Sequence, residues 1–178
     1  IPVHPNHFMS EPLFAGEREC VRDLARSLPH VHVVEPVPLG GDLGYYSGED
    51  MPEKTSMMAY SDVSTTVYST MCVETAIHDR PIVSVCLDIP GGWNKPGKFS
   101  LALTEIGEWP THQRFRMANA GRVASDEETL KELLNTYLRN PGLDSAERRK
   151  FIADEVTFTD GSSGRRTGEW LAEQVLKA

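Results

Sequence analysis

Four groups of polar side chains in this sequence have types and spacings suited to chemistry. The first is Ser69, Thr70 and Glu74. They follow a β-branched run, 62–67, and precede Pro81 and a second apolar run, 82–87. Ser69 and Thr70 are placed to open a helix at the carboxyl end of a strand. There, unpaired N–H groups and the helix dipole attract an anion such as a phosphate, and the two hydroxyls add donors. Thr66, at the end of the strand, is a weaker neighbour. Glu74, one turn in, repels phosphate but can accept hydrogen bonds from a sugar hydroxyl. The competing reading is a plain helix cap at Ser69 or Thr70, with Glu74 facing solvent.

The second group is His4 and His7, which flank Pro5-Asn6 after a short apolar start. Imidazole exchanges protons near neutral pH, and as a cation it can face phosphate oxygens. A simple turn with exposed histidines is the alternative. The third group is His112 and Arg114, just after Pro110. On an extended segment, residues two apart face the same way, so the pair could hold a phosphate together; an ordinary surface loop is the other reading. The fourth is Arg165 and Arg166 at the start of the last expected helix, where basic residues oppose the helix dipole. A bound diphosphate would favour them there, and so would pairing with Asp160. Trp93, Tyr45 and Tyr46 are aromatics in Gly-rich loops that could stack on a base or a sugar, or plug those loops locally.

The elements that must position these groups alternate. Strands are expected at 1–3, 31–35, 62–67, 82–87 and 122–124, and helices at 16–27, 52–60, 71–78, 127–139, 145–154 and 164–176. Alternation of this kind implies βαβ units and a mainly parallel sheet. The 62–67 and 82–87 strands should be central, since one is β-branched and the other nearly continuous in apolar residues. Leu130, Leu133, Leu134, Tyr137 and Leu138 form the apolar stripe of the 127–139 helix, which Asp126 is placed to cap. Long loops are expected at 36–51, 88–100 and 158–164. One cleft should be lined by 4–7, 65–70, 88–98 and 158–165.

Bulk properties narrow the classes. With 178 residues, 39% hydrophobic and 25% charged, the chain fits one globular domain, 1–178. A net charge of −8 with no long basic run argues against nucleic-acid binding. Cys20, Cys72 and Cys86 have no paired spacing and read as reduced thiols, which fits a cytoplasmic setting. No Cys/His spacing suits zinc. No apolar run approaches the roughly 20 residues of a transmembrane segment.

The order hydroxyl turn, Glu74, small-residue helix, Arg80-Pro81 and apolar strand resembles the donor-side domain of GT-B glycosyltransferases. Within that superfamily it is most similar to the CDP-glycerol glycerophosphotransferase-like and surface-polysaccharide transferase group. His4-Pro5-Asn6-His7 after a leading strand, and Asp160 to Arg166 before the last helix, stand in the family's order over nearly the whole chain. UDP-N-acetylglucosamine 2-epimerases share the fold, but they usually carry Ser-Gly-Gly and paired Glu where this chain has Tyr68-Ser69-Thr70 and Glu74.

The resemblance implies a three-layer, Rossmann-like α/β domain with about five or six strands. It implies a nucleotide-diphosphate donor held by Thr66, Ser69, Thr70, Glu74, His112 and Arg165, with His4 and His7 in the catalytic role. A glycosyl or polyol-phosphate group would pass to an acceptor glycan or polyol, with no metal and no further cofactor. An N-terminal acceptor domain of the same protein would precede Ile1. A nucleotide-sugar epimerase and a non-catalytic nucleotide-sugar binding module are the alternatives.

Overall fold

The computed structural model describes residues 12–37, 48–87 and 106–177. The expected strand at 1–3, His4, His7, Tyr45, Tyr46, Trp93 and most of the first two long loops lie outside the described residues. The chain divides into two compact units, Ile1–Met57 and Met58–Ala178.

In the first unit, α1 (Pro12–Ser27) leads to an extended segment and then to α2 (Asp50–Tyr60), whose last residues belong to the second unit. Arg22 on α1 donates to Glu35 across 2.6 Å and to Glu19 across 2.9 Å. Buried Asp50 accepts from the Val37 N–H at 2.8 Å. The strand expected at 31–35 is a correction: this stretch forms a single bridge, at Val34. β-branched residues favour an extended backbone, but a strand also needs a neighbour to pair along its length.

The second unit runs β1 (Ser64–Thr66), α3 (Met71–Ile77), β2 (Ile82–Val85), α4 (Pro110–Met117), β3 (Arg122–Ala124), α5 (Glu127–Arg139), α6 (Ser145–Glu155) and α7 (Ser163–Lys177). The strands form one parallel sheet in the order β1-β2-β3, with Thr66 opposite Ser84 and Val85 opposite Ala124. The fold is therefore mixed α/β, with a small three-stranded parallel sheet among the described residues. β2 is central, as its apolar run predicts, and Ile82 and Val83 are fully buried. β1 is at an edge among the described residues, contrary to expectation. Its alternately half-buried and exposed residues fit that place.

Successive side chains on a strand point to opposite faces, so β2 divides the core in two. Ile82 packs with Cys72 and Ala76 of α3, Phe115 of α4 and Phe151 of α6. Val83 packs with Ala124 and with Tyr137, Leu130, Leu133 and Leu134 of α5. Leu138, expected on the same stripe, is 57% exposed instead. It follows Tyr137 by about 100° of helical rotation, which carries it off the buried face.

The amino-terminal end of the sheet is tied by ions. Arg148 of α6 donates to Asp79, and Arg122 of β3 makes a two-pronged contact with Asp144 at 2.6 and 2.7 Å. The Tyr137 hydroxyl donates to Asp144 at 2.7 Å. α7 buries none of its residues. No helix among the described residues is long and apolar enough to cross a membrane.

Candidate functional site

Because the three strands are parallel, Thr66, Val85 and Ala124 end at one edge of the sheet. The 67–70 turn, Cys86 and Asp126 follow directly. Each helix that starts at this edge must return to the amino-terminal end, so the starts of α3, α4 and α5 gather here. This is the edge where open α/β sheets bind ligands.

The three helix starts differ. At α5, Asp126 accepts the Thr129 N–H at 2.7 Å and its hydroxyl at 2.8 Å. That carboxylate fills the position an anion would take, and its bonds from Thr129 hold it below the usual carboxylate range. At α3, Thr70 makes no side-chain cap bond. Ser69 Oγ accepts from the Met71 N–H at 3.2 Å. The Ser69 hydroxyl is thus half used by the helix, with its own hydrogen left to donate. At α4, Trp109 stands at the capping position without a cap bond, and Pro110 begins the helix.

α4 is the main correction to the sequence reading. Residues 110–117 are helical, not extended, so His112 and Arg114 diverge by about 200°. His112 turns inward and is 7% exposed. Its ring lies 5.5 Å from the Tyr68 ring and 6.5 Å from the Trp109 ring. Burial pushes its pKa below the usual imidazole value. Burial thus favours its neutral form. Arg114 turns outward to Glu155 of α6 and lines a groove of about 610 Å³ between α4 and α6 with Met117 and Phe151.

Tyr68 links the two helix starts. Its ring lies on Gly107, where an added Cβ would stand 2.9 Å from the ring carbons. Its hydroxyl neighbours the Cys86 thiol, and burial raises its pKa. Arg116 donates to the Gly107 carbonyl at 3.1 Å and pairs with Glu108, which pins the approach to Trp109.

The other predicted residues are placed as follows. Thr66 closes β1 and is half-buried, and Glu74 is half-buried in the first turn of α3. Ser69, Thr70, Thr66, Glu74 and His112 therefore stand around one edge. Arg165 is engaged locally, 3.5 Å from Ser162 Oγ and 3.9 Å from Glu169. Arg166 pairs with Asp160 and lies 4.0 Å over the Phe158 ring. Asp160 drops to about 2 through that bond. Among the described residues, no three His, Cys, Asp or Glu side chains are grouped to hold a metal ion. Trp109 and the stacking role of Tyr68 went unnoticed in the sequence. The available signal was Trp-Pro at a helix start followed by His112 and Phe115 three residues apart.

No protein-family model, curated protein or solved structure matches this chain.

Proposed function

We propose that this chain is the donor-binding domain of a transferase that uses a nucleotide-diphosphate-activated sugar or polyol phosphate. In this reading the fold is a Rossmann-like domain of about five or six strands, acting in the cytoplasm on an acceptor glycan or polyol. Its partner is an acceptor domain of the same protein. Ser69 and Thr70 donate to the diphosphate, Glu74 accepts from the ribose, and Thr66, His112 and Arg165 complete the donor site. An acceptor hydroxyl attacks the transferred group, His4 or His7 takes its proton, and the nucleotide leaves with the bonding pair. Donors already aimed at the diphosphate stabilise the charge it gains.

One observation carries the reading. Of the three helix starts at the carboxyl edge, α5 holds its own carboxylate. Those of α3 and α4 have no capping carboxylate and are joined by the Tyr68–His112 contact. The test is calorimetry with CDP-, UDP-, GDP- and dTDP-linked donors. At least one should bind, and Ser69→Ala with Thr70→Ala should weaken that donor more than its nucleoside. Each hydroxyl accounts for at most roughly 1.5–3 kcal/mol as a bond to a charged group. Binding of none of the four donors refutes the proposal.

A further inference from the structure

Trp109 is the residue at this edge that local structure does not explain. Capping positions favour Ser, Thr, Asp or Asn, whose oxygen can accept a helix N–H, and the indole forms no such bond. Nor is Trp109 there to fill the core, since 49% of its surface is exposed. Its covered part stacks on His112, with the two planes inclined by 23°. His112 in turn meets Tyr68, which sits beside Ser69. Tyr68, His112 and Trp109 thus form a chain of ring contacts, an aromatic ladder whose Tyr68–His112 step is tilted by 39° and whose exposed end is Trp109. Both ring separations fall in the stacking range of about 4.5–7 Å.

The ladder is also held rigid. Tyr68 is seated on Gly107, and Arg116 fixes the Gly107 carbonyl and the Glu108 carboxylate just before Trp109. No other aromatic ring among the described residues stacks on Trp109. A flat ring would stack on the exposed part of Trp109 and extend the ladder by one rung. Resting on the donor-binding reading above, we infer that Trp109 is the stacking platform for the nucleobase of the donor. Recognition by stacking tolerates any base, since every base offers a π-face. The platform sets the requirement for a nucleoside and leaves the choice of base to other groups.

The test uses the 178-residue chain with Trp93→Phe and Trp170→Phe, which leaves Trp109 as its sole tryptophan. ADP, CDP, GDP, UDP and inorganic pyrophosphate are titrated while fluorescence is followed, with affinities measured in parallel by calorimetry. Nucleoside diphosphates should quench the signal and pyrophosphate should not. Trp109→Ala should weaken nucleoside diphosphates by about fivefold to about 150-fold, the usual range for a lost base–aromatic stack. Trp109→Phe should restore most of that loss, and pyrophosphate affinity should stay within about twofold. If nucleoside diphosphates bind but Trp109→Ala leaves them unaffected, the platform is refuted and the donor reading stands. An equal loss for pyrophosphate also overturns the platform, because Trp109 then serves the phosphate or the fold. Absence of any nucleotide binding to the parent chain overturns both.

Discussion

Arg148, with none of its side chain exposed, donates its Nε–H to Asp79 across 2.9 Å, and the Asp79 backbone stands at φ 52°. The same guanidinium donates to the Leu143 carbonyl at 2.8 Å. One buried cation therefore ties the end of α3 to the start of α6, at the opposite end of the sheet from the candidate site. Removing the Asp79 carboxylate takes away the ion-pair partner of the buried guanidinium. Losing one partner of a fully buried pair costs about 3–5 kcal/mol. The Asp79 side chain is 38% exposed, so water reaches the site and the loss should be smaller, about 2 kcal/mol. Asp79→Asn is the suitable change, because Asn tolerates positive φ. The urea midpoint should fall with an unchanged slope. A shift worth less than about 0.5 kcal/mol, the ordinary surface effect, would contradict the clamp.

Acid should loosen the same end of the molecule. Burial alone would raise the Asp79 and Asp144 carboxyls. Hydrogen bonds to Asp79 from Ser145 and Arg148, and to Asp144 from Arg122 and Tyr137, outweigh burial and hold both below the ordinary 3.8. A carboxyl whose folded value is depressed stabilises the protein above its unfolded value. That stabilisation is lost as pH falls through the folded one. The share of the urea midpoint that these two carboxylates supply should thus be level near neutrality and decline below about pH 4. Asp79→Asn should make that decline shallower. An identical acid limb in the variant would show that other carboxylates dominate.

His112 gives a second titration with its own window. Burial lowers its pKa below 6.5, so the folded chain resists protonation where the unfolded chain accepts it. Stability should therefore be full above about pH 6.5 and decline as pH drops below it. In a two-dimensional NMR titration, the His112 ring resonance should shift with a midpoint below 6.5. A midpoint above that value would mean an unrecognised anion faces the ring.

Gly121 tests how tightly the sheet meets α4. An added Cβ would stand 2.5 Å from Phe115 Cζ and 2.7 Å from the Ile82 carbonyl oxygen. The carbonyl belongs to the central strand and cannot yield, so Gly121→Ala should cost roughly 1–3 kcal/mol by overpacking. Gly168→Ala on α7 is the contrast, with nothing within 4 Å of the new carbon. There the gain in helix propensity should stabilise by roughly 0.5–1 kcal/mol. Melting temperatures of the two variants should move in opposite directions.

The parts of this fold that could be read from the sequence are those set by local pattern. Asp126 caps α5 as its position before Glu127-Glu128 predicts, and of the expected stripe Leu130, Leu133, Leu134, Tyr137 and Leu138, all but Leu138 pack on the core. Residues 82–85 form the central strand for the same reason. What could not be read depends on partners distant in sequence. Val31 to Glu35 has strand composition, but only a pairing neighbour would make it a strand. Pro110 to Met117 has few apolar residues, and its helix is held by Phe115 meeting Phe151 of α6 at 5.5 Å. That one misread helix separated His112 from Arg114, hid the ladder to Trp109, and left Ser69 and Glu74 as the legible part of the candidate site.

Glu74 offers the most direct check on a ribonucleotide ligand. A helical side chain reaches over the turn that precedes its own backbone. From the first turn of α3, Glu74 is within reach, by this rule, of the 67–70 turn, where the diphosphate is proposed to lie. The ribose adjoins that diphosphate, and a carboxylate accepting from its hydroxyls makes charge-assisted bonds about twice as strong as neutral ones. Glu74→Gln should lower affinity for the best-binding ribonucleotide donor by about 1.5–3 kcal/mol. It should leave the 2′,3′-dideoxy analogue nearly untouched, since that ligand has no hydroxyl to lose. The fold should survive, because Gln and Glu have similar helix propensity. Calorimetry of both ligands on parent and variant decides the matter. Equal affinities for parent and variant would remove Glu74 from the site. An equal loss for both ligands would place the carboxylate near some other part of the nucleotide.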